Sequence, residues 1–163
     1  MNDLLVPTSC LMRSRPTRVL CADPEESALA VYHELQGAEF DLVLTRGGVE
    51  CMDCLRRQAP DVLVLDPRLL WGGGDGILSF MQDSPALVLV PVMILTSCRD
   101  VSLLRSIAPY RISDYHVKPV TSCDLAMRIR NVLQYGRNRM AVLNRNGSEQ
   151  TPEQIHPKIS VVL

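Results

Sequence analysis

The sequence predicts an α/β fold, a doubly wound parallel sheet of five strands with helices on both faces. Two observations predict it. Short β-like runs alternate five times with helix-like runs, and the loops between them are short. The middle of Asp61–Asp66 (DVLVLD) is unbroken Val and Leu, as expected of a strand that is covered on both faces. A chain of 163 residues, 47% of them hydrophobic, fits one such domain.

The predicted strands are short runs rich in Val, Leu and Ile. In chain order they are Thr17–Ala22, Phe40–Thr45, Asp61–Asp66, Val92–Thr96 and Asp114–Val117.

The predicted helices follow each strand and begin at residues that favour a helix start. In chain order they are Glu25–Leu35, a run after Gly47 and Gly48 that ends at Arg57, Gly76–Met81, Arg99–Ala108 and a last helix from Ser122 to Gly136. In the last helix an apolar stripe recurs at helical spacing, and Thr121 or Ser122 can cap its start. Gly136 is expected to end it.

The predicted domain occupies residues 17–136, with an N-terminal extension at 1–16 and a tail at 137–163. The tail is polar and rich in turn residues, so we expect it to be flexible. We find no room for an added DNA-binding domain and expect a stand-alone protein.

Charge and hydropathy exclude several classes. A formal net charge of -1 leaves no basic face for nucleic acid. No signal peptide is recognisable, and the longest apolar run, Ala86–Leu95, is too short to span a bilayer. We therefore expect a cytoplasmic protein that binds neither nucleic acid nor membrane.

Six cysteines lie mostly in apolar runs, which favours buried thiols over disulfides. Cys51 and Cys54 form a C-x-x-C pair, but no second pair or nearby His completes a zinc site. We interpret these cysteines as structural.

Four polar side chains stand where predicted strands end. Asp23 follows the first strand, Asp66 ends the third, Thr96 ends the fourth and Lys118 follows the fifth. In open α/β sheets, ligands bind at the carboxyl ends of the strands. We therefore expect two carboxylates, a hydroxyl and an ammonium to converge at one edge of the sheet.

This order of residues, with Tyr115-x-x-Lys118-Pro119 at the end, resembles the receiver domain of two-component response regulators. The resemblance covers roughly residues 17 to 135. It implies a flavodoxin-like sheet of order 2-1-3-4-5 and a cis peptide before Pro119. It also implies that Asp66 accepts a phosphoryl group, Lys118 and Thr96 bind that group, and Thr96 and Tyr115 form the switch.

The resemblance further implies a Mg²⁺ site, formed by Asp23, Asp66 and the backbone carbonyl of Arg68. Receiver domains usually carry two adjacent acids after the first strand, whereas this chain has Pro24 after Asp23. Glu25 or Glu26 can substitute, but Mg²⁺ needs about six oxygens in octahedral geometry, so we expect weakened binding.

The segment after Asp66 (PRLLWGGGDG) is about two residues longer than usual and carries Gly72, Gly73 and Gly74. We interpret the glycines as a flexible loop, because no P-loop Lys-Ser/Thr follows them. The side chain of Arg68 either bonds an anion at the site or points into water.

We expect a response regulator that is phosphorylated on Asp66 by a histidine kinase or phosphotransfer protein. It would bind a downstream protein through helix 4, strand 5 and helix 5, and catalyse at most its own phosphoryl transfer and dephosphorylation. The alternative is a pseudo-receiver, an interaction module that does not depend on phosphorylation. A flavin binder shares the architecture, but the chain has few aromatics and no dinucleotide fingerprint.

Overall fold

A computed structural model describes residues 15–37, 39–97, 99 and 101–145, with only the backbone described for 137–145. The strands are β1 (Thr17–Ala22), β2 (Phe40–Thr45), β3 (Val62–Leu65), β4 (Val92–Thr96) and β5 (Asp114–Val117). The helices are α1 (Leu29–Leu35), α2 (Gly48–Arg57), α3 (Gly73–Asp83), α4 (Val101–Ile107) and α5 (Ser122–Arg145). A 3₁₀ turn, Glu26–Ala28, leads into α1.

The five strands form one sheet in the order β2-β1-β3-β4-β5, and every neighbouring pair is parallel. The predicted fold class and strand order are therefore confirmed. β1 and β3 lie side by side in the middle, with Ala22 paired with Leu65. As a result, the residues that follow these two strands emerge next to each other.

Alternate residues of the central strands build two cores. Val62 and Val64 belong to the cluster on the α1 and α5 face. Leu63 and Leu65 belong to the cluster on the face covered by α2, α3 and α4. Burying one such side chain stabilises the fold by about 1.5–3 kcal/mol. Both cores therefore hold the central strands, and with them the strand ends, in place.

The last helix is longer than predicted. α5 continues through Gly136 to Arg145, so the prediction that Gly136 ends it is wrong. A glycine within a helix costs only about 1 kcal/mol relative to Ala, and good helix formers follow it here. Residues 1–14 and 146–163, which hold most of the predicted extension and tail, lie outside the described residues.

The loop between β3 and α3 is anchored to the start of α2. The Gly48 N–H donates to the Leu70 carbonyl oxygen at 2.9 Å. Trp71 and Gly72 then adopt left-handed φ angles of 59° and 111°. α3 begins at Gly73 and not at Gly76, so two of the three predicted loop glycines belong to the helix.

None of the helices in the described part of the chain is long and apolar enough to cross a membrane.

Candidate functional site

The carboxyl ends of four strands bring the predicted polar side chains to one edge of the sheet. Asp23, Asp66 and Thr96 are all buried there. The Asp66 N–H donates to the Ala22 carbonyl oxygen at 2.8 Å, and the Lys118 N–H donates to the Thr96 carbonyl oxygen at 2.9 Å. The sheet ladder therefore fixes the backbone of the site residues directly.

Asp66 accepts hydrogen bonds on both carboxylate oxygens. The Arg68 N–H, the Arg68 Nε and the Thr96 hydroxyl donate to Oδ1 at 3.0, 3.1 and 3.2 Å. Arg68 Nη2 and Lys118 Nζ donate to Oδ2 at 2.7 and 3.0 Å. The carboxylate is thus held in one orientation by two cations and a hydroxyl.

Lys118 joins the three acids of the site. Its Nζ lies 2.8 Å from Asp23 Oδ2, 2.9 Å from Glu25 Oε2 and 3.0 Å from Asp66 Oδ2. Its side chain is only 10% exposed, so these contacts are poorly screened by water. The peptide between Lys118 and Pro119 is cis.

Glu25 supplies the carboxylate that Pro24 lacks. Oxygen atoms of Asp23, Glu25 and Asp66 all lie within 4.8 Å of one another. Ser97 Oγ and Arg68 Nη2 also donate to Glu25 Oε1. The two acids that follow β1 at this site are therefore Asp23 and Glu25, which are separated by Pro24, and not two adjacent residues.

The donor set suits a hard divalent cation, since carboxylate oxygens are the preferred ligands of Mg²⁺. The acidic cluster of Asp23, Glu25 and Asp66 can hold such an ion. The backbone carbonyl of Arg68 stays a predicted ligand. The side chains of this cluster, as far as the chain is described, are all carboxylates.

Hydrogen bonding keeps the site charged. Burial opposes ionisation of Asp66, but the hydrogen bonds from Arg68 and Lys118 outweigh it and lower the pKa of this carboxyl. Bonds from Ser97, Arg68 and Lys118 lower the pKa of Glu25 from 4.5 to about 2. Burial opposes the charge of Lys118, yet its bonds to the carboxylates raise its pKa. These groups are therefore ionised at neutral pH.

The structure decides one alternative that the sequence left open and adds one contact that the sequence did not predict. The guanidinium of Arg68 turns onto Asp66 and Glu25 and not into water. The buried hydroxyl of Tyr32 donates to Asp23 Oδ2 at 2.7 Å. The sequence held a signal for the Tyr32 contact, because a tyrosine on the apolar face of a helix needs a partner for its hydroxyl.

The two predicted switch residues lie on adjacent strands. Thr96 ends β4, while Tyr115 lies in β5, paired with Ile94. Tyr115 is half-buried and packs against the core cluster that includes Ile107.

Two of the described cysteines match the predicted buried, structural thiols, whereas Cys54 is half-buried and Cys123 is exposed. Cys21 and Cys51 are buried, and burial raises the pKa of both thiols, that of Cys51 to about 12. They are therefore protonated at neutral pH.

Comparisons with known proteins place this geometry in context. No family model matches the chain. It is 28% identical over 118 residues to the probable transcriptional regulator ycf27 of Porphyridium aerugineum, covering 72% of this chain and 48% of that protein. It is 24% identical over 83 residues to the polar-differentiation response regulator DivK of Brucella anthropi, covering 50% of this chain and 68% of that protein. The chain thus spans about half the length of the first relative.

Solved structures also superpose on this chain. A putative response regulator from Chloroflexus aurantiacus superposes with a TM-score of 0.65 at 22% identity, covering 73% of this chain and 98% of the other. The receiver domain of the sensor histidine kinase PA1611 from Pseudomonas aeruginosa, solved with a magnesium ion coordinated in its active-site cleft, gives 0.65 at 17% identity, covering 73% and 98%. Sheet order and curated relatives lead to one conclusion: the chain has the receiver-domain fold of two-component response regulators.

Proposed function

We propose that this chain is a response regulator that accepts a phosphoryl group on Asp66 from a histidine kinase or phosphotransfer protein. One observation supports this most. A buried carboxylate stands at the carboxyl end of the central strand β3, with Lys118 Nζ at 3.0 Å and the Thr96 hydroxyl at 3.2 Å. This arrangement suits a phosphoryl acceptor. The carboxylate receives the phosphoryl group, and the ammonium and the hydroxyl are placed to bind its oxygens afterwards.

The proposed step is a simple displacement. A carboxylate oxygen of Asp66 forms a P–O bond while the P–N bond to the donor histidine breaks, and the electron pair stays on the imidazole nitrogen. Transfer is then mostly positioning and charge neutralisation. A bound Mg²⁺ would supply further positive charge among the carboxylates.

Electrostatics decides whether the incoming group can approach. Two unit charges about 4 Å apart interact by about 4 kcal/mol at an effective dielectric constant of about 20. Lys118 already contacts all three acids, so it offsets part of this repulsion before the phosphoryl group arrives.

The proposed output is a change at the surface of α4, β5 and α5. Once a phosphoryl group occupies Asp66, the Thr96 hydroxyl would turn from the carboxylate to a phosphoryl oxygen. The loop after β4 would follow and open space for Tyr115. A downstream protein would bind that surface. Residues 17–136 would carry this function in the cytoplasm, and dephosphorylation would be self-catalysed.

Phosphorylation is tested with acetyl phosphate and Mg²⁺, read by intact-protein mass spectrometry. Wild type should gain one phosphoryl group, and Asp66→Asn should gain none, because it removes the nucleophilic oxygen. Asp53→Asn is the matched control, since Asp53 lies on the exposed side of α2 and pairs with Arg56. A wild type that stays unmodified, even with histidine kinases from the same organism, would contradict the proposal.

One observation favours the second function, a pseudo-receiver. Five hydrogen bonds already engage Asp66, so its oxygens are less available as nucleophiles than those of a free carboxylate. For a pseudo-receiver, partner binding by wild type and by Asp66→Asn would be equal, with or without a phosphoryl donor. Affinity capture with both proteins separates the two functions.

A further inference from the structure

The guanidinium of Arg68 lies inside the acidic cluster. Its Nε and Nη2 form a fork on Asp66, at 3.1 Å from Oδ1 and 2.7 Å from Oδ2. The same Nη2 also donates to Glu25 Oε1. One side chain therefore bridges two of the three carboxylates that can hold a divalent ion.

Charge explains why this position is favourable. Three carboxylates meet at the site, and Lys118 alone would leave an excess of two negative charges. Arg68 reduces this excess to one, and its bonds to Asp66 and Glu25 raise its own pKa. A guanidinium stays protonated at any pH at which the fold is stable, so this positive charge is permanent.

A guanidinium and a divalent cation are both attracted to these oxygens, and two positive charges so close together repel each other. Guanidinium N–H groups occupy Glu25 Oε1 and both oxygens of Asp66, and a cation at the cluster needs lone pairs of those carboxylates. We propose that Arg68 is a built-in counter-ion that competes with the divalent cation for Glu25 and Asp66, so that metal binds only as the guanidinium leaves.

The backbone allows this exchange without rearrangement. The Arg68 N–H donates separately to Asp66 Oδ1 at 3.0 Å, which holds the main chain in place. The side chain is 33% exposed and can therefore swing outward into water. The metal site is thus assembled in advance, with arginine as its resident cation.

This inference rests on the metal-binding part of the proposed function and not on phosphoryl transfer. It stands even if Asp66 is never phosphorylated, because the measurement below contains no phosphoryl donor.

The test is isothermal titration calorimetry with MgCl₂ and MnCl₂ on wild type, Arg68→Ala and Arg46→Ala. Arg68→Ala should bind both ions about tenfold more tightly, since a charge-assisted bridge no longer has to break. Arg46→Ala removes the same charge near the site, where Arg46 Nη2 lies 3.5 Å from the Pro24 carbonyl oxygen. It should change affinity by less than about twofold, as expected of screened charges. Equal or weaker binding by Arg68→Ala would overturn the proposal.

A second measurement decides the question if Arg68→Ala does not fold, as judged by circular dichroism. The Nε–H resonance of Arg68 is identified by its loss in Arg68→Lys and followed in ¹⁵N-labelled wild type during Mg²⁺ titration. It should shift with the same midpoint as the calorimetric binding. A resonance that does not move while the ion binds would show that metal and guanidinium coexist, against the proposal.

Discussion

Both oxygens of Asp23 are held at the base of the site. Lys118 Nζ and the Glu25 N–H donate to Oδ1, each at 2.9 Å. The Tyr32 hydroxyl donates to Oδ2, and Tyr32 is 1% exposed. A buried carboxylate is stable only when such partners replace its water, so Tyr32 links the α1 core to the acidic cluster.

Tyr32→Phe should lower the free energy of unfolding by about 1.5–3 kcal/mol, because it removes a hydrogen bond to a buried charge and adds no new contact. Urea unfolding followed by circular dichroism measures this. Tyr135→Phe is the matched control, since Tyr135 is 77% exposed on α5 and should change stability by less than about 0.5 kcal/mol. A Tyr32→Phe protein as stable as wild type would show that Lys118 and the Glu25 N–H satisfy Asp23 without the tyrosine hydroxyl.

At the scale of the structural elements, the backbone of α2 and that of the loop after β3 lie very close together at Gly48. A Cβ at Gly48 would lie 2.2 Å from the Trp71 carbonyl oxygen, which is a backbone atom that cannot simply rotate away. Gly48 therefore permits the loop that carries Arg68 to lie against α2. Helix propensity alone would favour Ala there, but a clash of this size outweighs it.

Gly48→Ala should destabilise the fold by about 1–3 kcal/mol, the usual cost of overpacking. Gly76→Ala is the matched control. It lies within α3, and its Cβ would meet only the Met52 methyl at 3.8 Å. That substitution should be neutral or stabilise by up to about 1 kcal/mol, since Ala is the better helix former. Thermal unfolding compares the two, and equal effects would contradict this account of Gly48.

At the scale of the whole molecule, the acidic cluster makes stability depend on pH. The folded-state pKa values of Asp66 and Glu25 lie below their ordinary values. Carboxyls of this kind contribute stability that is fully present above their unfolded pKa. They lose it as the pH falls through the folded pKa.

For Glu25 the loss should run from about pH 4.5 toward about pH 2. Glu25→Gln should therefore unfold with a shallower pH dependence across that range than wild type. Urea unfolding at several pH values in EDTA measures both slopes. Parallel slopes would show that the bonds from Ser97, Arg68 and Lys118 do not favour the ionised form of Glu25.

The sequence was sufficient to predict the sheet. It also predicted that Asp23, Asp66, Thr96 and Lys118 lie together, because the carboxyl ends of parallel strands meet at one edge of the sheet. It was not sufficient to decide where the Arg68 side chain lies. A long side chain has many rotamers, and which one is populated depends on Asp66 and also on Glu25, which lies far away in the sequence. The extent of α5 also escaped, since a glycine is a weak stop signal without its backbone geometry.

Trp71 is the one tryptophan of the chain and is 81% exposed, on a loop attached to α2 through Leu70 and Gly48. Its fluorescence therefore arises wholly from the loop that continues from Arg68, with no contribution from an indole elsewhere. When the indole alone is excited, a change in its emission would report on the conformation of that loop and not on the core. The protein thus carries its own label, and stopped-flow mixing of the native chain with MgCl₂ would show whether that loop moves when the ion binds.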